Sequence, residues 1–344
     1  YTSAGWVIPL DDYVGETRGE YTDAVNKLLW RSEEDRYGHI YTVPDGLMVK
    51  GVYYRTDWAE EAGLNLDPTK GWDYDDYFDA VAKLTNKDEK HYGASYRGAR
   101  GALDPLLVYL QSFTDGNTYD QEGNIQINSD ECLEAFKKWT DVYLNGYAPE
   151  DAINWGFTEM VDNFTGGLTG TLINDSEVLP TCAQNMEEGT WGVMPMPKST
   201  KDGKIYNTIN APYAYSISGN PDEAWKLIEF MTNAENNIEY CKLTGEIPIK
   251  KDVENDDTYG TDGPYAAFVE QMNDPDLAVP TTFGPFDYTD LHQGMFHEEI
   301  QKYLLGDEDA ETALTTITDE LQSRMKQFIE ENPDTKVETA LTLK

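Results

Sequence analysis

The sequence predicts an α/β protein built as two lobes, on three observations. Strand-like runs rich in β-branched and aromatic residues alternate with segments of helical periodicity, without internal repeats or low-complexity linkers. At 344 residues the chain is longer than one hydrophobic core accommodates. No shift in composition marks a boundary, which implies that the lobes exchange chain more than once.

Tyr1–Val14 reads as the end of a helix, a Gly5 stop and an apolar segment closed by Pro9. Glu20–Glu34 has helical spacing, with Ala24, Leu28 and Arg31 on one stripe. The stretch Ile40–Leu64 organises the rest of the chain. Its first strand-like run, Ile40–Val43, is broken by Pro44-Asp45-Gly46, residues that make a tight bend. A second run, Leu47–Tyr54, feeds a short amphipathic segment ending at Gly63, and is long enough to leave one sheet and arrive at another. The same residues also suit an ordinary buried hairpin.

Beyond Gly63, Asp73 is a helix N-cap with Asp76 in the first turn, followed by Tyr77, Val81 and Leu84. Tyr92–Tyr96 reads as a strand, Asp104–Phe113 as a helix, and Asn124–Asn128 as a hairpin arm. Ser129 caps a helix with Leu133, Phe136, Thr140 and Tyr143 inward. Strands are expected at Leu168–Ile173, Trp191–Pro197 and Ile209–Ile217. The helix Asp222–Thr232 has Ala224, Leu227, Ile228 and Met231 on one face. Two C-terminal helices complete the pattern, lined by Phe296, Ile300 and Leu304, then by Leu314, Ile317, Leu321, Met325 and Phe328.

Hydrophobic content of 39% with 12% aromatics marks a globular chain. Acidic residues outnumber basic ones by 64 to 26, for a net charge of −38. Such a field repels nucleic acid and anionic surfaces and ligands, and leaves neutral and cationic ligands open. Cys132, Cys182 and Cys241 are far apart, without metal or redox spacing; buried reduced thiols are expected, and a Cys182–Cys241 disulfide stays open. No run is long and apolar enough to span a bilayer. No signal peptide begins the chain, and the start at Tyr1, without Met, suggests that something upstream has been removed.

Reaction chemistry finds no motif. His292 and His297 are five apart and make no zinc-protease pair; no nucleophile elbow, dinucleotide fingerprint or Walker loop is present. Carboxylate pairs such as Asp11/Asp12 are expected by chance among 64 acids. The Asp256–Gly263 loop matches a calcium loop only in composition. No catalytic residue, cofactor or metal is therefore expected. The residues suit binding without reaction. A neutral polyol is held by planar hydrogen-bonding groups and by aromatic faces over its C–H side, and Trp155, Tyr213, Tyr215, Phe286 and Tyr288 sit in or beside loops. Arg97 and Arg100 follow a strand, where open α/β sheets place ligands.

VPDGLMVKGVYYRTDWAEEAGL (43–64) is similar to the segment P-x-x-x-x-x-x-x-Y-N-K-D-x-x-x-x-A-G of extracellular solute-binding proteins of the maltose-binding type, with Arg55-Thr56 in place of Asn-Lys. AGWVIPLDD (4–12) resembles that family's A-G-x-L-x-P-L-D-D, and FTGGLTGTLI (164–173) its F-x-x-G-K-x-A-M strand. MPMPKSTKDG (194–203), NPDEAWKLIEFM (220–231), Gly245-Glu246-Ile247-Pro248 and LLGDEDAETAL (304–314) match its later motifs in order. The family's opening strand–helix–strand units are missing, so the resemblance implies a shortened first lobe.

The resemblance implies a periplasmic-binding-protein-like (type II) fold, with hinge strands between one lobe of residues 1–54 and 209–275 and another of 55–208 and 276–344. It implies capture of a neutral oligosaccharide for an ABC importer, without catalysis. Membrane permease subunits would be its partners, and the chain would be a monomer. Its place would be outside the cytoplasmic membrane, as an anchored lipoprotein or in a periplasm. Carried over by position, ligand contacts would be Asp45, Met48, Lys50, Asn210 and Tyr213 on one side. On the other they would be Arg97, Arg100, Asp104, Trp155, Asn174, Asp175, Glu177, Phe286 and Tyr288. The same scaffold holding a cationic or peptide ligand, and a glycoside-acting enzyme with paired cleft carboxylates, are the alternatives.

Overall fold

The structure is a computed structural model, described for residues 1–344 except 3, 65–70, 252–255 and 334. The Pro44-Asp45-Gly46 break ends a two-residue strand, β1 (Val43–Pro44), and the chain then runs straight as β2 (Met48–Arg55). From Gly51 onward β2 lies between two antiparallel neighbours, β3 (Thr171–Asp175) and β4 (Trp191–Pro195). Its first residues, Met48 and Val49, pair instead with β5 (Ile209–Asn210). One strand thus serves two sets of partners. β1 pairs separately with β6 (Ala214–Tyr215).

The change of partners falls at Gly51, and a side chain does not fit there. A Cβ would lie 2.8 Å from the Phe268 ring and 2.9 Å from Val193 Cγ1. The Lys50 carbonyl accepts hydrogen bonds from Asn207 Nδ2 and Gln271 Nε2, each at 2.8 Å, and Asn207 Nδ2 also donates to Gln271 Oε1. Both amides are buried, so losing one partner strands polar groups away from water at about 1–3 kcal/mol each. Tyr53 packs between Phe164 and Phe268 and donates its hydroxyl to the Asp175 carbonyl. Helix Ala266–Met272, which brings Phe268 and Gln271, lies on β2 and β4.

The helices follow their caps. Asp73 and Asp76 form a reciprocal capping box for Tyr74–Lys83, and the Ser129 hydroxyl accepts from the Cys132 amide to start Asp130–Leu144. Phe296–Leu305 and Ala310–Glu331 pack on each other and on Asp130–Leu144, burying Ile300, Leu314, Ile317, Leu321 and Met325. All three cysteines are buried and free.

Several elements differ from expectation. Ile209–Ile217 forms only β5 and β6, because Pro212 lacks the N–H that a continuous ladder needs. Tyr92–Tyr96 is extended but joins its neighbours through single bonds such as Ser95 N to Thr171 O. The Asn124–Asn128 arm is reduced to a bridge between Tyr119 and Ile125. The helix expected over Glu20–Glu34 carries a widened turn at Val25–Leu29 and continues through Trp30–Tyr37, leaving Arg31 exposed. In Pro221–Met231 only Ile228 is buried; Leu227 and Phe230 face solvent. A last pair, β7 (Ala278–Val279) and β8 (Leu341–Thr342), brings the C-terminal segment beside Val25–Leu29, where Lys27 Nζ donates to the Leu343 carbonyl.

Gly51→Ala is expected to lower stability by about 1–3 kcal/mol, the usual cost of overpacking. Urea unfolding measures it, and an unchanged midpoint and slope would show that the crossing point tolerates a side chain.

Candidate functional site

A cavity of about 1030 Å³ opens beside Lys50 of β2 and the strand β5. One wall is the outer face of the helix through Leu28–Arg36, and the floor holds Lys50 of β2 with Thr208–Asn210 around β5. The opposite wall is Arg100, Asp104, Leu107 and Gln111 with the segment Val279–Gln293. Residues 335–341 close one side. Donors, acceptors and rings therefore converge from distant parts of the sequence. Among the described residues Thr208, which lines the cavity, has a buried Oγ1 without a hydrogen-bond partner.

The Arg97–Gly101 turn is held tightly. Gly98 N donates to the Ala152 carbonyl, Ala99 N to the Trp155 carbonyl, and Gln301 Nε2 donates to the Gly98 carbonyl. Arg97 Nε donates to the Arg100 carbonyl, and the Arg97 guanidinium fills the space beside Gly101, whose φ of +84° and lack of Cβ both suit glycine. Burial pushes the Arg97 guanidinium down from its ordinary pKa. Asp104, in the first turn of Leu103–Gln111, takes the His292 Nε2 contact on both oxygens, at 2.9 and 3.1 Å. His292 meets the Phe283 ring edge-on, and Tyr288 packs 5.0 Å from Phe283, which gives this wall an aromatic surface.

Of the residues expected to bind, Lys50, Arg100, Asp104, Asn210 and Tyr288 line this cavity. Arg97 and Asp175 stand directly behind it: Lys50 Nζ is 2.6 Å from Asp175, and an Arg97 nitrogen is 4.0 Å from Asp104. The remainder are elsewhere. Trp155 is 3% exposed, its ring packed in the core and its Nε1 donating to Asp151, so it is no open platform. Asn174 is buried and caps the Asp175 amide. Met48 and Phe286 are half-buried outside the lining, Phe286 against Gly284. Tyr213 is 74% exposed and meets Asp45 through its backbone N–H, while Tyr215 is half-buried in β6.

Asp45, expected to touch ligand, is buried at the bend. Its carboxylate accepts from the Gly46 and Tyr213 amides and the Tyr240 hydroxyl. Gly46 leaves room for the buried Glu246 carboxyl, whose Oε2 would be 2.1 Å from a Cβ there. Burial and then the Asp45 charge push Glu246 up to about 7. Burial likewise raises Glu177, whose backbone lies against Gly245.

Nothing local in the sequence points to the face carrying Arg31, Asp35 and Arg36, or to residues 335–341, as cleft walls. Gln111 follows Asp104 and Leu107 at helical spacing and could have been found from that register. His292 stands out in the sequence only as a possible metal ligand.

The family model described as bacterial extracellular solute-binding protein matches residues 1–267. The chain belongs to this family. Curated relatives include a binding protein of Brucella abortus, 21% identical over 280 residues, 81% of this chain and 66% of that protein. The lactose-binding protein of Rhizobium radiobacter is 22% identical over 205 residues, 59% of this chain and 44% of that one. The chain thus spans just under two thirds of the first relative's length. Among solved structures, maltose-bound T. maritima MalE3 superposes with a TM-score of 0.74 at 22% identity, over 93% of this chain and 81% of that one. An Agrobacterium vitis ABC transporter solute-binding protein with bound D-mannitol gives 0.72 at 20% identity, over 95% and 82%. These likenesses establish the two-lobe fold of the family for this chain.

Glu246 supplies a pH test. Its folded pKa of about 7 exceeds the ordinary 4.5, so the folded state holds the extra proton between these values. The associated stability is complete below about pH 4.5 and lost as pH rises through about 7. Glu246→Gln is expected to raise the unfolding temperature at about pH 8, by roughly 2–4 °C per kcal/mol recovered, and to make little difference at about pH 4. Equal effects at both pH values would contradict this.

Proposed function

We propose that this chain is the substrate-capture component of an ABC importer, holding a carbohydrate between its two lobes and releasing it unchanged. The observation that carries the reading is the cavity of about 1030 Å³, in which hydrogen-bonding side chains and an aromatic wall converge from Leu28–Arg36, Lys50, Thr208–Asn210, Arg100–Gln111 and Val279–Gln293. A sugar needs both: each net hydrogen bond contributes about 1 kcal/mol, and several must act together beside rings that cover the C–H faces. The lobes are residues 1–54 with 209–275, and 55–208 with 276–344, with helix Ala266–Met272 reaching across onto β2 and β4. Ligand touching both lobes favours the closed arrangement by its differential affinity, and permease subunits recognise that arrangement.

The family consists of binding proteins, which supports capture without reaction. Asp35 is paired with Arg31, Asp104 with His292 and Glu338 with Arg36. The bound D-mannitol and maltose of the structural neighbours belong to the ligand class proposed here. The working protein is a monomer outside the cytoplasmic membrane, tethered there as a lipoprotein or retained in a periplasm.

A thermal-shift screen against oligosaccharides and polyols, with peptides and polyamines in parallel, tests the reading. Ligand at a hundred times Kd stabilises by about 2.7 kcal/mol. Tyr288→Ala is expected to weaken the best carbohydrate about tenfold. Stabilisation by peptides or polyamines alone would overturn the proposal.

A further inference from the structure

The cleft reverses the charge of the rest of the molecule. The chain carries 64 acidic and 26 basic residues. Yet among the described residues every carboxylate lining the cavity already has a partner: Asp35 has Arg31 at 2.7 Å, Asp104 has His292 at 2.9 Å, and Glu338 has Arg36 at 3.6 Å. The cationic Lys50 is likewise neutralised by Asp175 behind it. Two lining cations remain. Among the described residues neither Arg100 nor Lys336 has an ion-pair or side-chain hydrogen-bond partner, and Arg100 is the sole arginine of which this is true.

That Arg100 stays unpaired in so acidic a chain is the informative point, because a mobile surface arginine would find one of many carboxylates. The backbone of the turn that carries it is held in place. Its neighbours Gly98 and Ala99 are bonded to the Ala152 and Trp155 carbonyls, and its own carbonyl is held by Arg97 Nε at 2.8 Å. The half-buried Arg97 guanidinium lies 4.0 Å from Asp104, and Arg100 rather than Arg97 lines the cavity. A planar guanidinium takes a carboxylate or a sulfate ester through paired N–H donors.

We infer that the captured saccharide is neutral over most of its length and carries an anionic substituent, a sugar carboxylate or a sulfate ester, which is received by Arg100 with Lys336. This rests on the carbohydrate reading above. The overall field of −38 repels anions at long range, but screening confines that effect to roughly 8–10 Å at physiological salt, and contact inside the cleft is set by the local cations.

Titration calorimetry of the full chain with digalacturonate, a monosulfated galactobiose and plain galactobiose tests it, together with equivalent gluco-configured sets. Within one set, a charged disaccharide should bind at least tenfold tighter than its neutral parent, and raising NaCl from about 20 to 300 mM should shrink that preference. Arg100→Gln should reduce the preference about tenfold and Lys336→Gln by a smaller factor, with unfolding temperatures checked for each. Preference for the uronate alone, or for the sulfate alone, supports the inference and identifies the group. Neutral saccharides binding as well as or better than both charged forms overturns it while leaving carbohydrate capture intact. No binding of any saccharide overturns both readings.

Discussion

Eight residues of backbone, Met48–Arg55, hydrogen-bond to one set of strands at their start and to another over the rest of their length. Almost everything else is arranged around that change of partners. It requires Gly51, since the Phe268 ring and the Val193 side chain occupy the place of a Cβ. It requires Asn207 and Gln271 to occupy the Lys50 carbonyl, so that the crossing leaves no bare backbone oxygen in the interior. The same residue sends its side chain to Asp175 at the end of β3. Lys50 therefore ties the crossing to the cleft floor.

The cleft shows how a strongly acidic protein can present a local surface of different character. Its carboxylates are consumed in pairs along its walls, and among the described residues Arg100, on the held Arg97–Gly101 turn, has no part in those pairs. Arg97 illustrates the division of labour. Its guanidinium is mostly spent on the Arg100 carbonyl and the space beside Gly101, so it shapes the turn from behind. Asp45 and Glu246 have a comparable place at the bend before β2, shaping backbone from the interior.

The fold was largely legible. The Pro44-Asp45-Gly46 break, the long strand after it and the Asp73 and Ser129 caps are local signals, and the structure bears them out. Pro212 split an expected strand into β5 and β6, where a bend and a missing donor outweighed β-propensity. The site was less legible, because a cleft is a product of long-range placement. Lys50, Arg100, Asp104, Asn210 and Tyr288 stand near strand or helix ends, which is why position along the chain found them. Trp155 failed because nothing local distinguishes a ring in a loop from a ring that the loop buries. The wall from Arg31 to Arg36 and the segment 335–341 are brought in by tertiary contacts alone, such as Arg36 with Glu338.

In the function proposed here, a single guest is gripped from both sides of the crossing strand at once. Hydrogen exchange read by mass spectrometry, with and without a saturating saccharide, reports on that grip. Joint slowing is expected in peptides covering residues 28–36 and 208–210 on one side and 100–111 and 280–293 on the other, with one common ligand dependence. Slowing confined to one of these sides, with the other unchanged at saturation, would contradict it.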